Sequence, residues 1–326
     1  RDPNAINKHL REMLDMFQNY AYVGYTASPF ANVFIHPDGD GTGFPTLYPR
    51  DFVISLPRPE GYQGFDSMFP GDGSTSPIRI VEEKEEDHDP DLEADIVRRW
   101  TSDPFRDPSA NMSECPALQA ALFDFIISGA IRRLRGQDEK HHSMLIHTKH
   151  TTNSMRPLKE LVDDSVNTVW RRALIRSRTD KLRGSSREIY EGIRDHYEAR
   201  FSKDIDNPPE WDEVHQAIRD LYRKGVDVLE VNHETGENLD YDMYPDGRTV
   251  IAIGGNRLSR GLTLEGLCVS YFIRSSQDPK ADTMMQMGRW FGFRPGYSDL
   301  VRIYTTSNLN EHFDLIRQME DSLRDD

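Results

Sequence analysis

The chain has 326 residues, with 40 Lys plus Arg against 55 Asp plus Glu, a formal charge of −15, and 37 % hydrophobic residues. That is enough chain for two domains and enough apolar content for a packed core. The longest weakly polar run, residues 117–131, is broken by Gln119 and Asp124 and falls short of the roughly 20 apolar residues of a membrane span. Two cysteines, Cys115 and Cys268, exclude a disulfide framework and a four-thiolate zinc site. A cytoplasmic protein with no membrane partner is the expectation. The sequence opens at Arg1 with neither an initiator Met nor a charged-then-apolar leader, so no signal peptide is expected and the chain reads as part of something longer.

Taken in chain order, residues 4–19 carry Ile6, Leu10, Met13, Leu14 and Phe17 at helical spacing, and residues 20–26 (YAYVGYT) then predict a strand that stops at Pro29. Residues 51–56 (DFVISL) predict another. Residues 60–115 hold 15 acids against 5 bases and are rich in Pro and Gly, so 57–115 reads as an irregular acidic insertion, partly helical near 91–100. A long apolar helix over 116–135 follows, with Ser113 or Asn111 as its cap. Strands are predicted at 142–148, 226–232, 249–254, 267–273 and 300–304. Helices are predicted near 154–178, 186–202, 211–224 and 281–291, and from about residue 310. Strands alternating with helices predict a mostly parallel α/β sheet with helices on both faces.

Three segments carry candidate chemistry. In the first, a buried strand runs into Gly254, Gly255, Arg260 and Gly261; glycine in such a loop lets main-chain N–H groups approach a phosphate. The second, residues 285–297, sets Gln286, Gly288, Arg289 and Arg294 among Trp290, Phe291 and Phe293. Guanidinium groups stay ionised and offer a planar donor fork, suited to the charge that spreads over a transferring phosphoryl group. The third places Thr26 and Ser28 directly after a strand, where hydroxyls can relay hydrogen bonds. Each segment alone also fits a turn or a core. A basic strip, Arg171, Arg172, Arg176, Arg178, Lys181, Arg183 and Arg187, faces one acid, Asp180; it reads as a solvated helix face or as a phosphate contact flanked by Trp170 and Tyr190 for base stacking. His141, His142, His147 and His150 cluster in sequence without a carboxylate or thiolate at convincing metal-ligand spacing, and no metal ligand is predicted.

In this order the segments resemble the later motifs of superfamily-II helicases. Thr26-Ala27-Ser28-Pro29 resembles Thr-Ala-Thr-Pro, Arg260-Gly261-Leu262 resembles Arg-Gly-Leu-Asp, and residues 286–294 are similar to Gln-x-x-Gly-Arg-x-Gly-Arg. The blocks YVGYTASPFANVFI, PRPEGYQG, MLIHT, GGNRLSRGLTLEGL and QMGRWFGFRPGY more closely resemble the helicase-associated Z1 domain family, described as an endonuclease domain. The resemblance spans about residues 21–305. It implies a RecA-like fold of P-loop NTPase type: the end of a first lobe at 1–56, the acidic insertion at 57–115 and a second lobe at 116–326. It further implies DNA as partner, an N-terminal ATPase lobe of the same protein, ATP and Mg²⁺ as cofactors, and a bacterial restriction, repair or anti-phage setting. Arg289, with Arg294 second, would be the arginine finger. Gly255, Arg260, Gly261, Gln286 and Gly288 would meet nucleotide, while Thr26, Ser28, His147, Thr148, Arg171 and Arg172 would meet nucleic acid or couple the lobes.

The chain departs from the helicase pattern at Thr263, which stands in place of Asp, and in the five-residue step from Arg289 to Arg294. It contains no Gly-x-x-x-x-Gly-Lys-Ser/Thr loop and, ahead of Thr26, no Asp-Glu-x-Asp/His, so the chain alone is not expected to hydrolyse ATP. A metal-dependent endonuclease using the acidic run 82–87 or the histidines, and a catalytically inert interaction module, are the alternatives.

Overall fold

The computed structural model describes residues 5–25, 48, 51–54, 56–57, 59–70, 76–81, 112–147, 152–176, 179–231, 239–255, 262–273 and 281–325. The chain divides into two units, residues 1–58 with 280–285, and residues 59–279 with 286–326.

In the first unit the predicted helix is present as α1 (Ala5–Asp15). The two predicted strands are not: residues 20–25 and the described part of 51–56 carry no strand, and Tyr20, Tyr22, Val23, Tyr25, Val53 and Ile54 are exposed. A strand exists only through its ladder partner, and the apolar alternation of YAYVGYT has none among the described residues.

The second unit is built on an α/β sheet. Its strands are β1 (Tyr62–Gln63), β2 (Ile78–Ile80), β3 (His142–His147), β4 (Asp227–Val231), β5 (Thr249–Gly254), β6 (Leu267–Phe272), β7 (Gly292–Phe293) and β8 (Arg302–Thr305). Six form a parallel sheet in the order β2-β8-β6-β3-β5-β4, while β1 and β7 pair antiparallel apart from it. Every residue of β3, β5, β6 and β8 is buried, as expected of parallel strands covered on both faces. The architecture is a parallel α/β sheet flanked by helices, consistent with a RecA-like fold. The segment read as an irregular insertion supplies both β1 and the edge strand β2. Its residues 82–111 lie outside the described residues.

The helices are α2 (Phe65–Met68), α3 (Pro116–Leu134), α4 (Thr152–Asp163), α5 (Arg171–Leu174), α6 (Ser185–Ala199), α7 (Trp211–Lys224), α8 (Ala281–Met287) and α9 (Ser307–Asp325), with a π-helical stretch, Asp164–Trp170, joining α4 to α5. α3 is apolar nearly all round because it is sandwiched, packing on β3, β6 and β8 beneath and on α6 and α7 beside it. Its cap position is Cys115, with Pro116 opening the helix, rather than the predicted Ser113. Alternate strand residues divide between two cores: Met144, Ile146, Ile251 and Ile253 face the α3 side, Leu145, Val250 and Ala252 the other.

Two details at the amino ends of the strands carry testable energetics. Gly266, at φ +65°, turns the chain into β6, and a Cβ there would sit 1.8 Å from the His141 carbonyl oxygen. Gly266→Ala therefore meets left-handed strain of about 1–2 kcal/mol and a backbone clash as well. Urea unfolding should show a loss of at least about 2 kcal/mol.

His142 is buried and stacks on Phe125 at 4.5 Å, with Nε2 at 2.9 Å from the Phe125 carbonyl and Nδ1 at 3.3 Å from the Arg132 guanidinium. The neutral ring fits these partners, donating from Nε2 and accepting at Nδ1. Burial, reinforced by Arg132, pushes the His142 pKa down to about 3. The unfolded chain takes up this proton near pH 6.5 while the folded chain resists it, so stability contributed above that pH is lost as pH falls from about 6.5 toward 3. Denaturant midpoints measured across that window should fall with pH, and His142→Gln should flatten the slope.

Candidate functional site

In an open parallel sheet, ligands bind in the crevice outside the carboxyl ends of the strands. The first motif loop leaves from the carboxyl end of β5, while the second begins beside the carboxyl end of β6, where Trp290 meets Phe272, and reaches the amino edge, where Tyr297 lies under Arg132. β5 ends at Gly254 and continues into buried Gly255, and the return to β6 is described from Leu262. The second loop runs from the end of α8 through β7 to β8.

The second loop is anchored by aromatic packing. Trp290 is 1 % exposed and meets Phe272 edge-on at 5.4 Å and Phe313 of α9 at 5.2 Å. Phe291 lies 4.6 Å from Phe65 of α2, and Phe69 stacks on Phe313 at 5.0 Å. Tyr62 pairs with Phe293 in the β1–β7 ladder, their rings 5.5 Å apart. The PRPEGYQG block and the final motif are thus one structural unit. Local reading of the sequence missed Tyr62, Phe65 and Phe69; that block signalled only Tyr62.

The two arginines of the loop are used differently. Arg289 is half-buried, and its Nη2 donates to the Leu262 carbonyl, tying the final motif to the loop that carries the Arg-Gly pair. Burial lowers its pKa, and no carboxylate among the described residues pairs with it. It remains a cation at neutral pH, desolvated in part and without a counterion among the described residues, which favours an incoming anion. Arg294 turns back on its own loop, donating to the carbonyls of Arg289 (3.3 Å), Trp290 (3.1 Å) and Phe293 (2.9 Å). It closes the turn that presents Arg289. Arg294→Ala should therefore cost about 1–2 kcal/mol in thermal or chemical unfolding, because it frees those carbonyls, with Arg294→Lys only partly restoring it.

Gly288 is buried beside Arg289, and Gln286 is exposed on the last turn of α8. His147 closes β3 and is 1 % exposed; its carbonyl accepts from the Ile273 amide and its ring sits edge-on to Phe272 at 5.1 Å, so it belongs to the packing beneath the crevice. Thr26, Ser28, Thr148, Arg260 and Gly261 lie outside the described residues.

Two other groupings change in three dimensions. His142 and His147 stand at opposite ends of β3, about 16 Å apart at 3.3 Å per residue, so the sequence cluster is not a spatial one. His150 lies outside the described residues, and among those residues no group of three or more His, Cys, Asp or Glu is placed to hold a metal ion. Arg171 and Arg172 are exposed on α5, but Trp170 and Tyr190 are 2 % and 9 % exposed and sit in the core, where they cannot stack on bases.

Among known protein families, the Z1 domain model matches residues 117–326. The chain belongs to the Z1 domain family. No curated protein and no solved structure matches it significantly. The Z1 match takes in both motif loops and five of the six sheet strands, whereas β1 and β2 precede it. Among the described residues of this Z1 protein, no helix is long and apolar enough to cross a membrane.

Proposed function

We propose that this Z1 chain is the carboxyl-terminal part of a superfamily-II helicase-like, DNA-dependent ATPase, serving a bacterial restriction, repair or anti-phage system. One observation carries the reading: Arg289, partly desolvated and without a carboxylate partner among the described residues, links the two motif loops. A cation so held can stabilise charge on a γ-phosphoryl group bound by another lobe. In this reading residues 1–56 end the first lobe and 116–326 form the second. An N-terminal lobe of the same protein supplies the phosphate loop and the Mg²⁺ carboxylate. Arg289 is the arginine finger, Arg294 holds it in place, and main-chain amides near Gly255, Gly261 and Gly288 face the phosphates. Gln286 meets nucleotide as well, and Arg260, Thr26, Ser28 and Thr148 couple nucleotide state to DNA.

The family's description as an endonuclease supports a second, metal-dependent reading, for which the acidic run 82–87 supplies residue types but no described geometry. The whole protein is to be incubated with plasmid DNA and Mg²⁺ or Mn²⁺, with and without ATP. The ATPase reading expects phosphate release stimulated by DNA. Strand cleavage without ATP, and no phosphate release, would replace it with the nuclease reading.

A further inference from the structure

We infer that the outer surface carrying Arg171, Arg172, Arg176, Lys181 and Arg183 is a second polyanion site, separate from the motif-loop crevice, that binds the phosphodiester backbone of duplex DNA without reading its bases.

All five side chains are exposed. They stay outward because apolar neighbours pin the chain from within: Ala173, Leu174 and Leu182 are each at most 1 % exposed and belong to the core on the α3 side of the sheet. Among the described residues none of the five has a carboxylate partner. Arg183 commits one nitrogen to the Asp180 and Leu182 carbonyls, which fixes its turn. Several other surface arginines of this acidic protein are neutralised in ion pairs, as in Arg135–Asp299, Arg187–Glu191 and Arg317–Asp314, although exposed Arg200 is not among them. Five exposed cations within residues 171–183, without a carboxylate partner among the described residues, on a chain of net charge −15 point to an external anion.

The patch sits toward the amino end of β4. Asn167, one turn ahead of the patch, donates to the carbonyl of Val226, the residue before β4 begins. That end of β4 is about 17 Å along the strand from the carboxyl edge. The patch rests on the α3 side, whereas Trp290 packs with Phe272 and Phe313 away from that core. Four arginines to one lysine favour phosphate oxygens, which the guanidinium fork meets two at a time. With Trp170 and Tyr190 buried, the two aromatic residues flanking the patch offer no ring to an unstacked base, which favours duplex over single strand.

The inference takes only its polyanion from the proposed function, and it is read by binding rather than turnover. A fluorescent duplex of random sequence is titrated with the whole protein between about 50 and 200 mM salt. Arg171→Glu/Arg172→Glu/Arg176→Glu should weaken binding at least tenfold and reduce the slope of log K against log salt by about 2–3, at roughly 0.9 for each phosphate no longer neutralised. The matching triple Lys variant should keep most of the slope, and Arg176→Glu alone, outside any helix, should lower it by about 1. Arg289→Ala should leave the slope unchanged, so a failed ATPase reading leaves this test intact. Unaltered affinity and slope in the Glu variants would overturn the inference. So would binding of the unmodified protein to phosphatidylglycerol vesicles but not to duplex, which would assign the patch to a membrane surface.

Discussion

Replacing Arg289 by Ala is expected to lower DNA-stimulated ATP turnover by the whole protein about a thousandfold, the lower end of the range for loss of an arginine finger. The effect is large because the guanidinium is already partly stripped of water and held by the Leu262 carbonyl, so it need not reorganise when charge develops on the phosphoryl group. The folded state should lose little, about 1 kcal/mol for one hydrogen bond, and the melting temperature should shift by only a few degrees. Arg289→Lys should recover part of the rate, since the charge returns without the fork. Phosphate release under saturating ATP and DNA, with melting curves beside it, provides the check. Turnover equal to that of the unmodified protein would remove Arg289 from the nucleotide site.

Trp290→Ala should be the most damaging single change to the fold around the site, costing about 3–5 kcal/mol in chemical unfolding. Trp290 fills the space between β6 and α9, touching Phe272 and Phe313, and its removal leaves a cavity that several rigid rings cannot collapse to fill. Because Arg289 is its immediate neighbour in the chain, the same change should reduce turnover even below the temperature at which the protein melts. Trp290→Phe should restore most of the stability. A Trp290→Ala protein as stable as the original would mean that the loop is not anchored as described.

The sequence made much of the architecture legible, and the reasons differ from element to element. The apolar run of α3 and the short apolar-rich stretches of β3, β5 and β6 are local signals strong enough to stand alone. The YAYVGYT and DFVISL segments are also rich in β-forming residues yet form no strand among the described residues, because pairing is a property of two segments and not of one. Conversely, Ile78–Ile80 and Tyr62–Gln63 sit in a stretch whose Pro, Gly and acid content masks them, yet long-range partners recruit them into ladders. For the site, the residue types around Arg289 were visible, but its bond to Leu262 and the turning back of Arg294 depend on how two loops pack. The histidines show the opposite failure: neighbours in sequence are carried to opposite ends of a strand. Trp170 and Tyr190, read as flanks of a basic strip, follow the helical period into the core instead.

The most direct test of the central claim is nucleotide binding in the ground and transition states. The affinity of the whole protein for ADP should be nearly the same with Arg289 or Ala at that position, because the guanidinium is assigned to the γ-phosphoryl position alone. With aluminium fluoride and Mg²⁺ completing a mimic of the transferring phosphoryl group, the unmodified protein should bind markedly tighter than to ADP, and the Ala variant should lose that gain. Equal tightening in both proteins would contradict the account.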